Sequence, residues 1–263
     1  MADYQTIVFE KANGIAKITL NRPDAANGIN MLLAEELMDA AIRCEDDTTV
    51  RAVIITGNGK MFSAGGDLKS FAAYGDEIAI KLKQLTVFLH SAVTRFARMD
   101  APVIVAANGM AAGAGFSLAV SGDMVLAAES AKFTMAYTAA GLSPDGSASY
   151  YLPRLIGIRK TQELMLTNRR LTATEAEQWG LINRAVADDQ LQAEAQKLAE
   201  QFANGPTKAF GAVKQLLQST YANGLETQLD KEAQLIATMS KSADGIEGVT
   251  AFTEKRAPNY TGS

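Results

Sequence analysis

The segment that decides the fold is Pro102–Gly115, PVIVAANGMAAGAG. It begins with an apolar, β-branched run, Pro102–Ala107, which has the length and composition of a buried strand. The turn that follows, Asn108–Gly115, consists mostly of small residues, which allow a ligand to approach the main chain closely. It leads directly into a predicted helix, whose free N-terminal N–H groups favour negative charge. The segment therefore predicts a strand, an anion-binding turn and a helix in succession.

A second glycine-rich turn, Phe62–Leu68 (FSAGGDL), follows another predicted strand, Arg51–Thr56. In open α/β sheets, ligands bind in the crevice beyond the carboxyl ends of the strands. We expect both turns to face this crevice. For either turn alone, the alternative is that its glycines only make a tight turn or close packing.

Strands and helices alternate on both sides of these turns. Asn13-Gly14 separates two short β-branched runs and supplies the positive φ angles of a tight hairpin turn, so two paired strands open the chain. The later alternation predicts parallel strands with crossover helices, an α/β fold. Up to residue 128, the predicted strands are Thr6–Glu10, Ile15–Leu20, Arg51–Thr56, Pro102–Ala107 and Met124–Ala128, and the predicted helices are Met31–Cys44, Ile78–Arg98 and one that begins near Ala112.

After Gly157 the pattern becomes almost wholly helical, which predicts a C-terminal helical subdomain. Thr172–Glu175 (TATE) has the spacing of a capping box, and Pro206 is placed at the first turn of a helix. The helices predicted here are Lys160–Thr167, Thr172–Gln178, Asp188–Asn204, Thr207–Ser219, Leu225–Ser240 and Ala243–Lys255.

The composition excludes several classes of partner. The net charge is −4 and the 25 Lys and Arg residues are scattered, so no basic stripe predicts nucleic-acid binding. No apolar stretch reaches the roughly 18 residues that a membrane span requires. Met1–Glu10 lacks the apolar core of a secretory signal, and the single cysteine, Cys44, excludes an internal disulfide. We therefore expect a cytoplasmic protein that contacts no membrane.

The motif inventory disfavours common catalytic classes as well. The spacing around Gly113 and Gly115 does not give the Gly-x-Gly-x-x-Gly dinucleotide fingerprint, and neither turn contains a phosphate-loop Gly-Lys-Ser/Thr. A Gly-x-Ser-x-Gly elbow is absent and His90 is the only histidine, which disfavours a serine hydrolase. One histidine and one cysteine are too few for a zinc site, so no metal is predicted.

One acidic residue stands in a segment of unusual local chemistry. Gly141–Ser149 (GLSPDGSAS) places Asp145 in a Pro-Asp-Gly turn just before an apolar helical stretch. Taken alone, the residue is a turn former or a helix cap. A catalytic carboxylate is the other interpretation.

Together with three further motifs, the two turns resemble the crotonase superfamily, also called the enoyl-CoA hydratase/isomerase family. The similarity covers essentially the whole chain, and the motifs agree in order and spacing. They are Asn21–Pro23, Phe62–Leu68, Asn108–Gly115 with Asp123 beyond it, and Pro153-Arg154 with Gly157.

The resemblance implies a spiral of repeated β-β-α units with a C-terminal helical region used in trimer assembly. We accordingly expect a crotonase core at 1–200 and a helical trimerisation region at 201–263, in a homotrimer or a dimer of trimers. It also implies an acyl-coenzyme A thioester as substrate. No separate cofactor is expected, because coenzyme A belongs to the substrate.

Carried onto this chain, the resemblance makes the backbone N–H groups of Gly66 and Ala114 an oxyanion hole. The family usually has glycine at the second position, but alanine offers the same N–H group. Ala64, Asp67 and Leu68, in the first turn, are then expected to contact substrate.

Three more residues are candidate contacts for coenzyme A. Arg22 lies where it could approach the phosphates, although an exposed arginine after a strand is the alternative. Phe252 and Lys255 lie where the family contacts the nucleotide from a neighbouring subunit. A lysine at this place also compensates a helix dipole.

The acid and base positions depart from those of the hydratases. Enoyl-CoA hydratases carry glutamates where this chain has Ser117 and Tyr137. Hydration needs a base to activate water and an acid to protonate carbon, so ordinary hydratase activity is not expected. Asp145 falls where aspartate-containing isomerases, such as 1,2-epoxyphenylacetyl-CoA isomerase and 3-enoyl-CoA to 2-enoyl-CoA isomerase, place theirs. A double-bond shift needs one base, and Asp145 is the candidate.

Two rival interpretations remain at this stage. An aryl-CoA dehalogenase would use Asp145 as a nucleophile with His90 in the acyl pocket, although that enzyme has tryptophan where this chain has Tyr137. For His90 a packed or solvated residue is the alternative, and for Tyr137 a core residue. The stretch Leu225–Arg256 is similar to phenylacetate-pathway isomerases and favours isomerisation. The second rival is a coenzyme A-binding homologue without turnover.

Overall fold

Two β-sheets form the centre of the computed structural model, which describes residues 3–263. The strands are β1 (Ile7–Ala12), β2 (Ile15–Leu20), β3 (Ala52–Gly57), β4 (Met61–Ser63), β5 (Val103–Ala107), β6 (Met110–Ala112), β7 (Met124–Ala128), β8 (Lys132–Thr134), β9 (Leu171–Thr172) and β10 (Arg184–Val186). The larger sheet has the order β1-β2-β3-β5-β7-β10, and the smaller has the order β4-β6-β8-β9.

The larger sheet is antiparallel only at its first pair. β1 and β2 form the predicted hairpin, with Asn13 at φ 51° and Gly14 at φ 76°. The remaining pairs, β2 with β3, β3 with β5, β5 with β7 and β7 with β10, are parallel. All of β5 and all but the last residue of β3 are buried, as expected for a sheet that is covered on both faces.

The helices of the described residues cover these sheets and form the C-terminal part of the chain. They are α1 (Met31–Asp46), α2 (Leu68–Ala72), α3 (Ile78–Arg98), α4 (Ala114–Val120), α5 (Ala148–Thr167), α6 (Ala173–Gln178), α7 (Leu191–Ala203), α8 (Thr207–Ser219), α9 (Leu225–Met239) and α10 (Ala243–Thr253). The predicted capping box is confirmed at Thr172. Its side chain accepts from the Glu175 N–H, and the Glu175 side chain accepts from the Thr172 N–H.

A β-β-α unit recurs along the chain and explains the position of the glycine-rich turns. A short strand follows each of the long strands β3, β5 and β7, and the short strands β4, β6 and β8 pair with one another in the smaller sheet. The first predicted turn therefore begins within the three-residue strand β4, and the second contains the whole of β6. Both turns leave adjacent strands and enter a helix, which brings them to the same edge.

The prediction of an almost wholly helical chain after Gly157 is wrong in two places. Leu171–Thr172 forms β9, and Arg184–Val186 forms β10, which completes the larger sheet beside β7. Both strands are too short to show an alternating pattern. The predicted boundary at residue 200 falls inside α7. Among residues 3–263, no helix has both the length and the apolar content needed to cross a membrane.

An ion pair between a buried lysine and Asp123 holds α8 against the core. Lys214, on α8, is 7% exposed. Its Nζ donates to the carbonyl oxygens of Phe96 and Ala101 at 2.9 and 3.0 Å and lies 2.7 Å from Asp123 Oδ2. The same carboxylate oxygen accepts from the Val103 N–H at 2.8 Å. This network connects α8 to the end of α3 and to the start of β5.

We predict that Lys214→Ala lowers the free energy of unfolding by about 3 kcal/mol, because it removes a buried ammonium group and leaves two main-chain carbonyls and the Asp123 carboxylate without their donor. Urea denaturation measures the change. Lys208→Ala is the matched control, since Lys208 lies on the same helix but is exposed, and should change stability by no more than about 0.5 kcal/mol. Equal effects of the two substitutions would contradict the assigned role of Lys214.

Candidate active site

A cavity of about 250 Å³ lies between the two glycine-rich turns, α3 and the segment before α5. Gly66, Ala114 and Asp145 all line it, so the structure brings the three predicted catalytic groups together. Within the described part of the chain, Asp145 is the only carboxylate in the lining. The walls are otherwise mostly apolar and include Ile29, Leu68, Phe71, Leu82, Leu85 and Leu142.

The two turns touch each other at Gly65. This residue has φ +92°, a conformation that side-chain-bearing residues rarely adopt. A Cβ atom there would lie 2.6 Å from the Ala112 carbonyl oxygen and 3.1 Å from the Ala114 nitrogen. Only glycine satisfies both conditions, so the close approach of the turns, and with it the proximity of the Gly66 and Ala114 amides, depends on this residue.

The N–H group of Gly66 is directed away from its neighbouring strand segment. Ile29 forms a parallel bridge with Gly66, in which the Ile29 N–H donates to the Gly65 carbonyl at 2.7 Å and the Asp67 N–H donates to the Ile29 carbonyl at 3.0 Å. In this pattern the bridged residue's own N–H points to the other side. The Gly66 N–H has no protein acceptor among residues 3–263, and Gly66 lines the cavity.

The N–H group of Ala114 is free for a different reason. Ala114 is the first residue of α4, and the first N–H groups of a helix have no partner within the helix. Gly113 precedes it with φ +50° and no side chain to cap the helix. No acceptor for the Ala114 N–H exists in the portion of the chain that the structure describes. Two unpaired amide donors therefore border one apolar cavity.

The Asp145 carboxylate does not cap the following helix. The N-cap of α5 is Ser147, at φ 89°, and no side chain accepts from the first N–H groups. Asp145 Oδ1 instead accepts a hydrogen bond of 2.5 Å from the Tyr137 hydroxyl. The side chain is half-buried at the cavity surface. The sequence left two roles open for Asp145. The geometry excludes that of a side-chain cap for α5 and places the carboxylate at the cavity.

Tyr137 lines the cavity beside Asp145. Burial, followed by the charge and the hydrogen bond of the Asp145 carboxylate, raises the pKa of the Tyr137 hydroxyl above its ordinary value. The phenol is therefore neutral and donates its hydrogen to the carboxylate. Its oxygen also lies 3.2 Å from Ser117 Oγ, which is fully buried on α4. The sequence singles out Ser117 only as a position where hydratases resembling this chain carry glutamate. It does not predict this contact.

His90 lies outside the cavity lining. The side chain is exposed on α3, and its Nε2 accepts a 3.1 Å hydrogen bond from the Gly146 N–H. His90 therefore contacts the segment that carries Asp145 but does not line the cavity.

The substrate-binding candidates of the first turn divide into two groups. Ala64 and Leu68 line the cavity. Asp67 caps α2 by accepting from the Ser70 N–H at 3.2 Å. Arg22 pairs with this carboxylate at 2.9 Å and also donates to the Gly28 carbonyl. In this structure Arg22 and Asp67 hold the turn together, and contact of either with coenzyme A stays a prediction.

Phe252 and Lys255 lie at the C-terminal end, away from the cavity. Phe252 is 85% exposed on α10, and Lys255 is exposed just after it with φ 55°. Sequence analysis placed their contact on the nucleotide of a neighbouring subunit, so that assignment stays a prediction as well.

Several wall residues were not predicted. Phe71 packs directly against Gly66, where an added Cβ would lie 2.6 Å from its ring. Leu82 and Leu85 lie one turn apart on α3. The spacing of these leucines shows an apolar helix face, but the sequence does not show that this face borders a cavity and not only core.

We predict that Gly65→Ala lowers kcat/KM for an acyl-CoA thioester by about 10²–10³, because the added methyl group separates the two amide donors. The matched control is Gly180→Ala. Gly180 has φ +73° but open space around its Cβ position, so it imposes similar backbone strain without moving the turns. Steady-state kinetics and thermal unfolding of both variants make the comparison. Full activity of Gly65→Ala would contradict the assigned role of the turn contact.

The repeated β-β-α units, which place two unpaired amides beside one cavity, have the fold of the crotonase-type enzymes among the solved structures. A family model described as Enoyl-CoA hydratase/isomerase matches residues 10–263. The chain belongs to the enoyl-CoA hydratase/isomerase family, and the family and fold class predicted from the sequence are confirmed. The coarse class of activity, isomerase- or hydratase-like chemistry on a coenzyme A thioester, follows from this membership.

Some proteins similar to this chain are named isomerases, and others are named hydratases. The chain is 39% identical to 1,2-epoxyphenylacetyl-CoA isomerase of Escherichia coli, over 95% of each chain. It is equally 39% identical to a Rhodobacter capsulatus protein named probable enoyl-CoA hydratase, over 98% of this chain and 99% of the other. Among solved structures, enoyl-CoA hydratase from Bacillus anthracis superposes with a TM-score of 0.92 at 33% identity, covering 98% of this chain and 100% of that one.

Proposed function

We propose that this protein is an acyl-CoA isomerase that shifts a double bond through a thioester enolate. The observation that carries the proposal is that, among residues 3–263, a single carboxylate lines the cavity that the Gly66 and Ala114 amides border. An isomerisation needs one base, whereas hydration needs an acid and a base on water. The similarity to 1,2-epoxyphenylacetyl-CoA isomerase supports the same direction.

In the proposed reaction, Asp145 removes a proton from the carbon next to the thioester. The electron pair of the broken C–H bond moves onto the thioester oxygen, where the N–H groups of Gly66 and Ala114 stabilise the negative charge. Asp145 then returns the proton to the far end of the conjugated system, and the double bond comes to rest beside the thioester. The protein gains and loses nothing over the cycle.

The apolar walls strengthen both parts of this mechanism. Hydrogen bonds and charge interactions act more strongly where water is excluded. Phe71 and Leu85 are buried wall residues, so the two amides meet little competition from solvent. The same walls accept a hydrocarbon or ring-derived acyl group.

The proposal includes assembly with further copies of the chain. Apolar side chains of the C-terminal helices are largely exposed, among them Ile236 at 72% and Phe252 at 85%. Contiguous exposed apolar surface marks interaction sites. These helices support a homotrimer or a dimer of trimers, in which Phe252 and Lys255 would reach the coenzyme A bound to a neighbouring copy.

We predict that Asp145→Asn lowers turnover of a 3-enoyl-CoA by about 10²–10⁴, the usual contribution of a general base. The amide keeps the shape of the side chain and can still accept from Tyr137, so affinity for the thioester should stay within a few-fold in calorimetric titration. Asp189→Asn is the control, because it removes the same charge from an exposed residue. Unchanged turnover in Asp145→Asn would remove this residue from the mechanism.

Product analysis separates the remaining reactions. A panel of 3-enoyl, 2-enoyl, epoxyphenylacetyl and halobenzoyl thioesters of coenzyme A is incubated with enzyme, and the products are identified by mass spectrometry. The proposal predicts products of unchanged mass from the 3-enoyl or epoxyphenylacetyl thioester. A mass increase by water from the 2-enoyl thioester would instead show a hydratase. Transfer of solvent oxygen to the halobenzoyl thioester through an aspartyl ester would show a dehalogenase.

A further inference from the structure

The Tyr137 hydroxyl forms the centre of a chain of hydrogen bonds that ends on Asp145. It lies 2.5 Å from Asp145 Oδ1 and 3.2 Å from Ser117 Oγ. A phenol has one hydrogen to donate, and the short distance and negative charge assign it to the carboxylate. The contact with Ser117 is therefore one in which the serine hydroxyl donates and the phenol oxygen accepts. Ser117 Oγ lies 3.4 Å from its other acceptor, the Gly113 carbonyl, so this second bond is the longer one.

The two oxygens of the Asp145 carboxylate therefore differ in their hydrogen bonding. Oδ1 accepts a hydrogen bond from the phenol. For Oδ2, no donor lies within hydrogen-bonding distance in the portion of the chain that the structure describes. The carboxylate cannot rotate without breaking a charge-assisted hydrogen bond, which is among the stronger ones in proteins.

We propose that Tyr137, supported by Ser117, is a positioning residue that holds Asp145 Oδ1 so that Oδ2 alone carries the substrate proton. The inference deepens the proposed isomerase function and rests on it. The proton leaves the α-carbon to Oδ2 and returns from Oδ2 to the acceptor carbon, while the phenol hydrogen stays on Tyr137 throughout. A fixed oxygen can reach both carbons from one place, which suits the 1,3-proton transfer of a double-bond shift.

The two hydroxyls come from different elements and meet beside the carboxylate. Ser117 lies on α4, and its hydroxyl reaches Asp145 only through the Tyr137 phenol. A Cβ atom on Gly146 would lie 3.0 Å from Ser117 Cβ, so a glycine after Asp145 lets this segment pack closely against the serine.

The environment of the carboxylate contains few other titratable groups. Tyr137 is the only other titratable side chain in the cavity lining of the described residues. His90 approaches from α3 but accepts from the Gly146 N–H and does not contact the carboxylate. A change in the pH dependence on removing the phenol hydroxyl can therefore be assigned to its bond with Asp145.

The test is the pH dependence of kcat/KM for a 3-enoyl-CoA in Tyr137→Phe. A hydrogen bond to the ionised carboxylate opposes its protonation, so losing it makes protonation easier and moves the acid limb to higher pH. We expect this displacement together with a kcat lowered about tenfold and a nearly unchanged KM. Tyr150→Phe is the matched control. Its hydroxyl donates to the Gln218 carbonyl at the surface, so the acid limb should stay in place.

An acid limb that does not move in folded Tyr137→Phe overturns the proposal. If that variant does not fold, Ser117→Ala decides, because it leaves the phenol but removes its donor. A smaller displacement in the same direction supports the proposal, and no displacement overturns it. Failure of the isomerase function is recognised separately, because the wild-type protein would then leave a 3-enoyl-CoA unconverted, whatever residue stands at position 137.

Discussion

The close approach of two main-chain turns at Gly65 is the contact on which the site depends. Its positive φ and the absence of a Cβ atom allow the first turn to come against the Ala112 carbonyl and the Ala114 nitrogen. Each turn supplies one amide that its own element leaves unpaired, Gly66 by the parallel bridge and Ala114 by its place at the start of α4. An anion site made of main chain in this way needs no positively charged side chain and fits a charge that exists only during the reaction.

The parallel sheet and the apolar cavity give this contact its rigidity and its strength. β3 and β5 are buried along nearly their whole length and deliver the two turns to one edge. The carboxylate arrives from a third part of the chain, the segment before α5, where it is held through Tyr137, while His90 holds the adjoining Gly146 amide. In the proposed mechanism the main chain supplies charge stabilisation, and the Asp145 side chain supplies proton transfer.

The elements that the sequence predicted well are those with strong local signals. Asn13-Gly14 set the hairpin, and the long apolar periodicity of Ile78–Arg98 gave α3 with the same bounds. The strands of the smaller sheet escaped prediction because three residues show no period. Within the site, the motifs predicted that the Gly66 and Ala114 amides and Asp145 lie together, and all three line one cavity, while their catalytic roles stay a prediction. The motifs did not show that His90 binds the Gly146 amide or that Ser117 and Tyr137 are hydrogen-bonded, because these contacts join residues that are distant along the chain.

The proposed reaction requires that the thioester oxygen receive hydrogen bonds from the amides of Gly66 and Ala114. Isotope-edited infrared difference spectroscopy measures this directly, with an acyl-CoA labelled with carbon-13 at the thioester carbonyl and bound to Asp145→Asn to prevent turnover. Two aligned donors in an apolar site polarise the carbonyl more than water does. Hydrogen bonds from both amides should place the carbonyl band at a lower frequency than that of the free thioester in water. A band at the same or a higher frequency would contradict it.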